Sequence, residues 1–424
     1  MHLKKGTQGT VVDPPTAREG RLRRRLIGID AARGLALVGL MAVHILPDAT
    51  EDGEPTLSWI LFAGNSAALF ALLAGVGLAL STGGTAPHGG RRMSANRIGL
   101  AVRAVLVGAI GLVISAILPW DPPADDILLY YAVFFLLAIP FLRMGPKALF
   151  ASAAAFGLIA PVLMQRLGPV LPESSAYNHT LVTLLTEPVA TASELLLTGT
   201  YPALPYMAYI LVGLGLGRLD LRDTRVQAFI AGAGAALVLL AHVASALLLR
   251  VAGGYQVLLE TAGMGQDALD EVLVFGPEDL VPDSSAWWQA IVTPHTNTVL
   301  SLASGLGLGM LVLAVFLLIS ARAGRWLRPL AAMGSMTLTL YSLHLLALAP
   351  EVHYDEPALW FTLHLVTAVA FAWFWNRRFG KGPLEAAVGW AVNGAREAVI
   401  ESSTSNTLEV AGDRHRPGPS GPWH

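Results

Sequence analysis

Apolar and polar positions alternate along this chain in long blocks rather than residue by residue. A membrane-crossing helix needs about 20 mostly apolar residues. Ten blocks reach or approach that length: 26–46, 58–80, 98–118, 127–142, 148–165, 200–217, 226–250, 297–320, 330–349 and 357–375. The fourth and fifth are short, as tilted or partly embedded helices are. The pattern predicts an all-α, polytopic integral membrane helix bundle of about ten transmembrane helices. No block shows a mid-membrane interruption by paired Gly and Pro. Pro202 and Pro205 come nearest to one, and they lie near a helix end.

Loop charges test this reading independently, because cytoplasmic loops are rich in Lys and Arg. The N-terminal arm carries Lys4, Lys5, Arg18, Arg21, Arg23, Arg24 and Arg25. Every second loop then adds more: Arg91, Arg92 and Arg97; Arg143 and Lys147; Arg218, Arg222 and Arg225; Arg322, Arg325 and Arg328. After the tenth block come Arg377, Arg378, Lys381, Arg396, Arg414 and Arg416. The intervening loops are acidic, with Asp48, Glu51, Asp52 and Glu54, then Asp121, Asp125 and Asp126, then Glu351, Asp355 and Glu356. Both termini are therefore expected in the cytoplasm. The first apolar block is too long for a signal peptide and lacks a small-residue cleavage site after it, so it reads as an uncleaved anchor.

Residues 1–22 read as a disordered basic arm, 23–390 as the transmembrane domain, and 391–424 as a mostly disordered cytoplasmic tail. Two external loops are long, 166–199 and 251–296. The second holds Asp267, Asp270, Glu271, Glu278, Asp279, Asp283 and the pair Trp287–Trp288. It reads either as a lid or as a solvated loop with interfacial tryptophans.

Composition narrows the chemistry. Of 424 residues, 54% are hydrophobic and only 14% charged, against about 25% charged in soluble domains. A net charge of −2 gives no basis for nucleic-acid binding. With no cysteine, disulfides, thiolate metal sites and a thiol acyl-enzyme are excluded. His-Glu-x-x-His and similar metal patterns do not occur, and no metal is expected. Arg used over Lys, with abundant Ala and Gly, suggests a bacterial chain, hence an inner (plasma) membrane location.

The first block is the most informative. Asp30 and Arg33 are three apart and meet on one helix face. Arg33 and His44 are eleven apart, nearly three turns, so they share an azimuth about 16 Å apart along the axis. Ionisable groups inside a membrane usually face the bundle interior or a hydrated cavity. Two on one face predict a polar path from Arg33, near the cytoplasmic boundary, to His44, near the outer one. The bland alternatives are a snorkelling arginine paired with Asp30 and an interfacial histidine.

The Arg-x(10)-His spacing in an Ile-Asp-x-x-Arg-Gly-x-Ala context resembles the opening helix of membrane acyltransferases. These are the acyltransferase-3 group and the heparan-alpha-glucosaminide N-acetyltransferase-like proteins. Asp126-Ile-Leu-Leu-Tyr130-Tyr131, Tyr201-Pro202-Ala-Leu-Pro205-Tyr206, Pro294-His295-Thr296-Asn297-Thr298, Leu340-Tyr341-Ser-Leu-His344 and Gly382-Pro383-Leu384-Glu385 resemble the bacterial YeiB-like family, over residues 22 to about 390. The resemblance implies that acyl-CoA, acetyl-CoA above all, enters from the cytoplasm as donor substrate. Its acyl group would reach a histidine-containing site, and a sugar or lipid-linked glycan on the far side would accept it. Carried over, Arg33 takes the conserved-arginine role and His44 the catalytic one. Many YeiB-like members have asparagine at that place, so His44 agrees better with the acyltransferases.

Topology puts further polar groups at the depth of His44. Asp126 opens the fourth helix with Tyr130 a turn below; His295 and Asn297 open the eighth; Tyr341 and His344 share a face of the ninth. Together they predict an outer chamber of three histidines, a carboxylate and two phenols. There His44 ranks first as base, ahead of His344 and His295, since imidazole titrates near neutrality. Asp126 would fix a histidine tautomer or, equally, act as a helix N-cap. His242 and His364 read as isolated histidines on apolar helices. Arg33, Arg97 and Arg103 are candidates for the CoA mouth, and Arg103, two turns into its helix, is the hardest to explain by topology. Gly213-x-Gly215-x-Gly217 and Gly305-x-Gly307-x-Gly309 lack a preceding strand and read as close-packing helix faces. The rival readings are a transporter and a non-catalytic membrane scaffold or sensor.

Overall fold

The computed structural model describes residues 17–277, 280–352 and 354–413, with side chains from Ile27 to Glu401. Lys4, Lys5, the arginine side chains of the basic arm, Glu278, Asp279 and the tail from Arg414 lie outside these described residues. The elements in order are α1 (Ala17–Ile45), α2 (Leu57–Phe62), α3 (Asn65–Ser81), α4 (Gly90–Ser115), α5 (Leu128–Ala138), α6 (Pro146–Leu167), α7 (Leu181–Thr186) and α8 (Pro188–Ser193). Then come α9 (Ala203–Gly217), α10 (Thr224–Ala246), α11 (Gly254–Thr261), α12 (Gln266–Phe275), α13 (Val299–Ala323), α14 (Arg328–Gly334), α15 (Thr337–Leu348), α16 (Pro357–Phe379) and α17 (Pro383–Asp413). No strand occurs among the described residues. Helix α17 extends to Asp413, into the stretch read from the sequence as tail.

Seven of these helices, taken with their flanking turns, are long and apolar enough to cross a membrane, or up to nine if two bent pairs count as one span each. The predicted blocks each fall on a helix, but three do not form straight spans. Leu128–Arg143 is short. Pro188–Thr198 and Ala203–Gly217 meet at 46°, and Arg328–Gly334 and Thr337–Leu348 at 79°. The expectation of uninterrupted helices is thereby corrected: the first break spans Gly199 to Pro202, where proline removes a backbone donor, and the second follows Gly334. The fifth block, short by hydropathy, is a full span at Pro146–Val170.

The arginine-rich loops gather at one end. Buried Arg218 donates to Ala79 O (3.1 Å), Gly84 O (2.9 Å), Thr82 Oγ1 (2.9 Å) and Leu142 O (2.5 Å), so the ends of α3, α5 and α9 meet there. A cation among helix C-terminal carbonyls is the favourable sign. At the other end Asn178 ties down the loop before α5, donating to Ala124 O (3.0 Å) and accepting from the Asp126 N–H (2.7 Å).

Lipid offers no hydrophobic drive between helices, so close contact through small residues holds the bundle. A Cβ on Gly213 would stand 1.9 Å from Leu72 O, and one on Gly334 would stand 1.7 Å from Asp30 O. The glycine runs of α9 and α13 are thus packing faces, as their spacing suggests. The Gly334 contact also sets the α14–α15 break against the Asp30/Arg33 turn of α1.

The loop 251–296 is a helical cap with its own core of Leu258, Leu269, Val281, Trp288 and Ile291. Trp288 is fully buried, which overturns the interfacial reading for that ring.

Candidate active site

Arg33 sits midway along a cavity of about 660 Å³ that opens at the arginine-rich end. Its guanidinium donates to Asp30 Oδ1 (3.3 Å) and Leu73 O (3.2 Å). Arg103, Lys381, Glu385 and Arg396 line the same space. Part of the wall is apolar, with Leu40, Phe70, Leu100 and Val107. Arg97 does not line it. The α17 contribution escaped sequence reasoning, although Gly382–Glu385 stood out as a motif. Glu385 accepts from Thr339 N (3.1 Å) and Thr339 Oγ1 (2.6 Å), which satisfies the first turn of α15. Arg396 bonds Asn96, fastening α17 over the cavity mouth.

The cavity ends at Leu40, Ile127 and Tyr341. His44 is not among its lining residues; its ring lies 6.4 Å from that of Tyr341. The predicted continuous path from Arg33 to His44 is therefore not formed in this structure: the cavity that Arg33 lines stops short of His44. The Tyr341 hydroxyl donates to Asp125 O (3.1 Å) and faces the Ile127 N–H at 3.5 Å, so its ring is tethered where it closes the cavity.

Beyond it, His44 Nδ1 lies 3.2 Å from His344 Nε2, and His344 Nδ1 lies 3.0 Å from His364 Nδ1. The first two rings stack at 9° with centroids 5.4 Å apart; the second pair is edge-on at 90°. Among the described residues no metal-binding cluster is formed, and these nitrogens face one another rather than a common point. Two neutral tautomer chains satisfy both bonds. In one, His44 Nδ1–H donates to His344 Nε2, and His344 Nδ1–H donates to His364 Nδ1, which puts the His44 lone pair on Nε2; in the other, every hydrogen runs the opposite way. His364 thus belongs to the site, contrary to its reading as an isolated histidine. Its signal, a histidine seven residues into a helix after Glu356, becomes informative only once α16 is placed beside α15.

Asp126 does not reach a histidine. Its Oδ1 accepts from Leu128 N (2.9 Å) and its Oδ2 from Ser115 (3.3 Å), so it caps α5. Burial pushes its carboxyl up to about 6. Its neighbour Asp125 also titrates near 6 through burial, yet keeps some accessible surface. Tyr130, Tyr177 and Tyr201 feel its charge. Asp125 escaped notice because its position in an acidic loop already explained it. Tyr130 packs edge-on against Tyr201 at 5.7 Å and lies by His179.

His295 and Asn297 lie apart from the histidine chain. The Gly64 N–H donates to His295 Nε2 (3.1 Å), and the Asn297 amide donates to His295 O (3.1 Å). The predicted chamber therefore keeps three histidines but exchanges His295 for His364.

Residues 25–249 match the family model described as heparan-alpha-glucosaminide N-acetyltransferase, catalytic. Residues 273–395 match a model described as a protein of unknown function (DUF418). No curated protein matches the chain. His44 falls in the first segment and His344 and His364 in the second, so the histidine chain is built by both.

Proposed function

The chain belongs to the heparan-alpha-glucosaminide N-acetyltransferase catalytic family, joined to a YeiB-like (DUF418) segment, and on that premise we propose that it transfers an acetyl group from acetyl-CoA, taken up from the cytoplasm, to an amino group of a cell-envelope sugar or lipid on the outer side. The observation that carries this reading is the bond from His44 Nδ1 to His344 Nε2 and on to His364. It orients the His44 ring and, in the tautomer chain that runs from His44 to His364, gives Nε2 the lone pair a general base needs.

The donor cavity suits the donor's shape. Arg33, Arg103 and Arg396 on its wall match phosphate groups, and the apolar stretch of Leu40, Phe70, Leu100 and Val107 matches a pantetheine arm. On the outer side Asp125, whose charge reaches Tyr130, Tyr177 and Tyr201, suits an acceptor ammonium, which loses one proton to the outer solvent and attacks as the neutral amine. As the acceptor nitrogen bonds to the acetyl carbon, His44 Nε2 takes the nitrogen's proton. The bond from the acetyl carbon to sulfur breaks, and His44 returns the proton to the CoA sulfur. His344 and His364 share the positive charge in between. Tyr341 must turn aside for the acetyl carbon to reach His44. Tyr341→Trp is therefore expected to leave CoA binding intact while blocking transfer.

The test is purified protein with labelled acetyl-CoA and a glucosamine acceptor. His44→Ala should cut CoA release about 10²- to 10⁴-fold, the usual worth of a positioned base. Full activity in that variant would remove His44 from the chemistry. A transporter is the second reading, favoured by the two broken helices, a feature of carrier sites. It requires substrate flux into proteoliposomes without CoA.

A further inference from the structure

A second cavity, of about 400 Å³, shares no wall residue with the donor cavity and is not lined by His44, His344 or His364. It lies between α2, α3, α10, the cap and the start of α13. Its size falls in the range of small-molecule sites, about 300–1,000 Å³. Trp59, Asn65, His242, His295, Asn297 and Ser304 line it, and no Asp, Glu, Lys or Arg does.

The hydrogen-bond logic of that wall is specific. Because the Gly64 N–H donates to His295 Nε2 (3.1 Å), the ring carries its hydrogen on Nδ1, and this buried Nδ1 has no acceptor among the described residues. His242 is the complement. Its Nδ1 donates to Val238 O (3.0 Å), so its Nε2 presents a lone pair at the exposed rim. Burial holds His295 down to about 4, so that ring stays neutral.

The loop that presents His295 is strained and braced. His295 has φ 61° and Asn297 φ 50°, values that non-glycine residues keep only when their surroundings dictate them. Thr296 Oγ1 bonds Thr293 O (2.7 Å), Thr298 Oγ1 bonds Ile291 O (2.7 Å), and the Asn297 amide bonds His295 O (3.1 Å). Thr293 in turn reaches Leu273 O in the cap (2.7 Å). Strain of this kind, over-determined by side-chain bonds beside a cavity, marks a built site rather than a packing fault.

We propose that this second cavity binds an uncharged, polyhydroxylated head group, that is, a glycosyl unit. Each sugar hydroxyl both donates and accepts, which matches a wall offering an N–H, a ring lone pair, two amides and a serine hydroxyl. Trp59 spends its indole N–H on Val274 O (3.3 Å), so its face offers a flat apolar platform for the C–H side of a sugar ring. An anionic ligand finds no cation here, and a buried unpaired charge is costly. Ile60 and Leu61 line the same cavity yet are 55% and 54% exposed, so its mouth reaches the lipid boundary. Both a glycolipid head and a free sugar fit this chemistry.

The experiment uses the full chain in phosphatidylcholine nanodiscs and reads the thermal midpoint, which rises with saturable binding. The probes are methyl glucoside in solution, glucosyl diacylglycerol doped into the disc, and phosphatidic acid as the charged control. Stabilisation by the glucosyl lipid alone assigns a membrane source; stabilisation by methyl glucoside as well assigns a free sugar. Phosphatidic acid should leave the midpoint unchanged. Ser304→Leu, which fills the cavity, and His242→Ala, at the exposed rim, should each weaken binding about tenfold or more, the scale of one or two lost hydrogen bonds. His44→Ala should leave this binding unchanged, which separates the proposal from the transferase reading. If Ser304→Leu fails to fold, His242→Ala decides. The proposal fails if neither glucosyl probe stabilises saturably, if phosphatidic acid does so equally, or if the folded variants bind as the parent does.

Discussion

Replacing His364 by phenylalanine removes a side chain that touches neither donor nor acceptor, yet it should slow transfer. His344 is 3% exposed, and in the productive tautomer chain it gives its Nδ1–H to His364 Nδ1 at 3.0 Å. Losing that acceptor costs a buried donor about 1–3 kcal/mol. The alternative is for His344 to move its hydrogen to Nε2, which then points at His44 Nδ1 only 3.2 Å away. Two N–H groups cannot face each other there, so His44 must also shift its hydrogen to Nε2 and lose the lone pair at that atom. The productive tautomer is therefore disfavoured by the same ~1–3 kcal/mol, which is about 5- to 150-fold in rate at 1.4 kcal/mol per decade. The assay is CoA thiol release by the purified protein, with acetyl-CoA and glucosamine, across pH. His364→Gln, whose amide oxygen can accept the same bond, should recover part of the rate. A His364→Phe enzyme with the parent rate and pH profile would refute the relay.

Arg33→Ala should raise the KM for acetyl-CoA about tenfold or more, the scale of a charged hydrogen bond, with a smaller change in kcat; initial rates against donor concentration decide it. Asp125 keeps a proton between about pH 4 and 6 that the unfolded chain, at 3.8, has already lost, so its contribution to stability falls as pH rises through that window. Asp125→Asn should thus match the parent midpoint near pH 4 and exceed it above pH 6, while raising the acceptor KM; an unchanged midpoint at pH 7 would count against the buried charge. Gly213→Val should abolish the monodisperse peak in size-exclusion chromatography, because its Cβ falls 1.9 Å from Leu72 O, whereas Gly232→Ala meets nothing within 4 Å and should be tolerated or slightly stabilising.

The sequence by itself determined the class of the fold, the order of its spans and the grouping of its basic loops. Those follow from composition and periodicity, which act locally: an apolar block of membrane length must be helical wherever it lies. It also singled out Arg33, His44, Tyr341 and His344, because ionisable or phenolic groups stand out on apolar helices. The bends at Gly199–Pro202 and Gly334–Thr337 were hidden, since hydropathy averages over a break that removes no apolar surface. Which histidines meet was equally hidden. His295 stands in a polar motif and His364 alone on an apolar helix, yet the packing of α16 against α1 and α14 brings His364 to His344, while the Gly64 N–H claims His295. Asp126 and Asp125 differ by one position, yet backbone geometry turned one into a cap and left the other facing the tyrosines. Side-chain chemistry is written residue by residue; the distances that let it act come from the packing of helices remote in the chain.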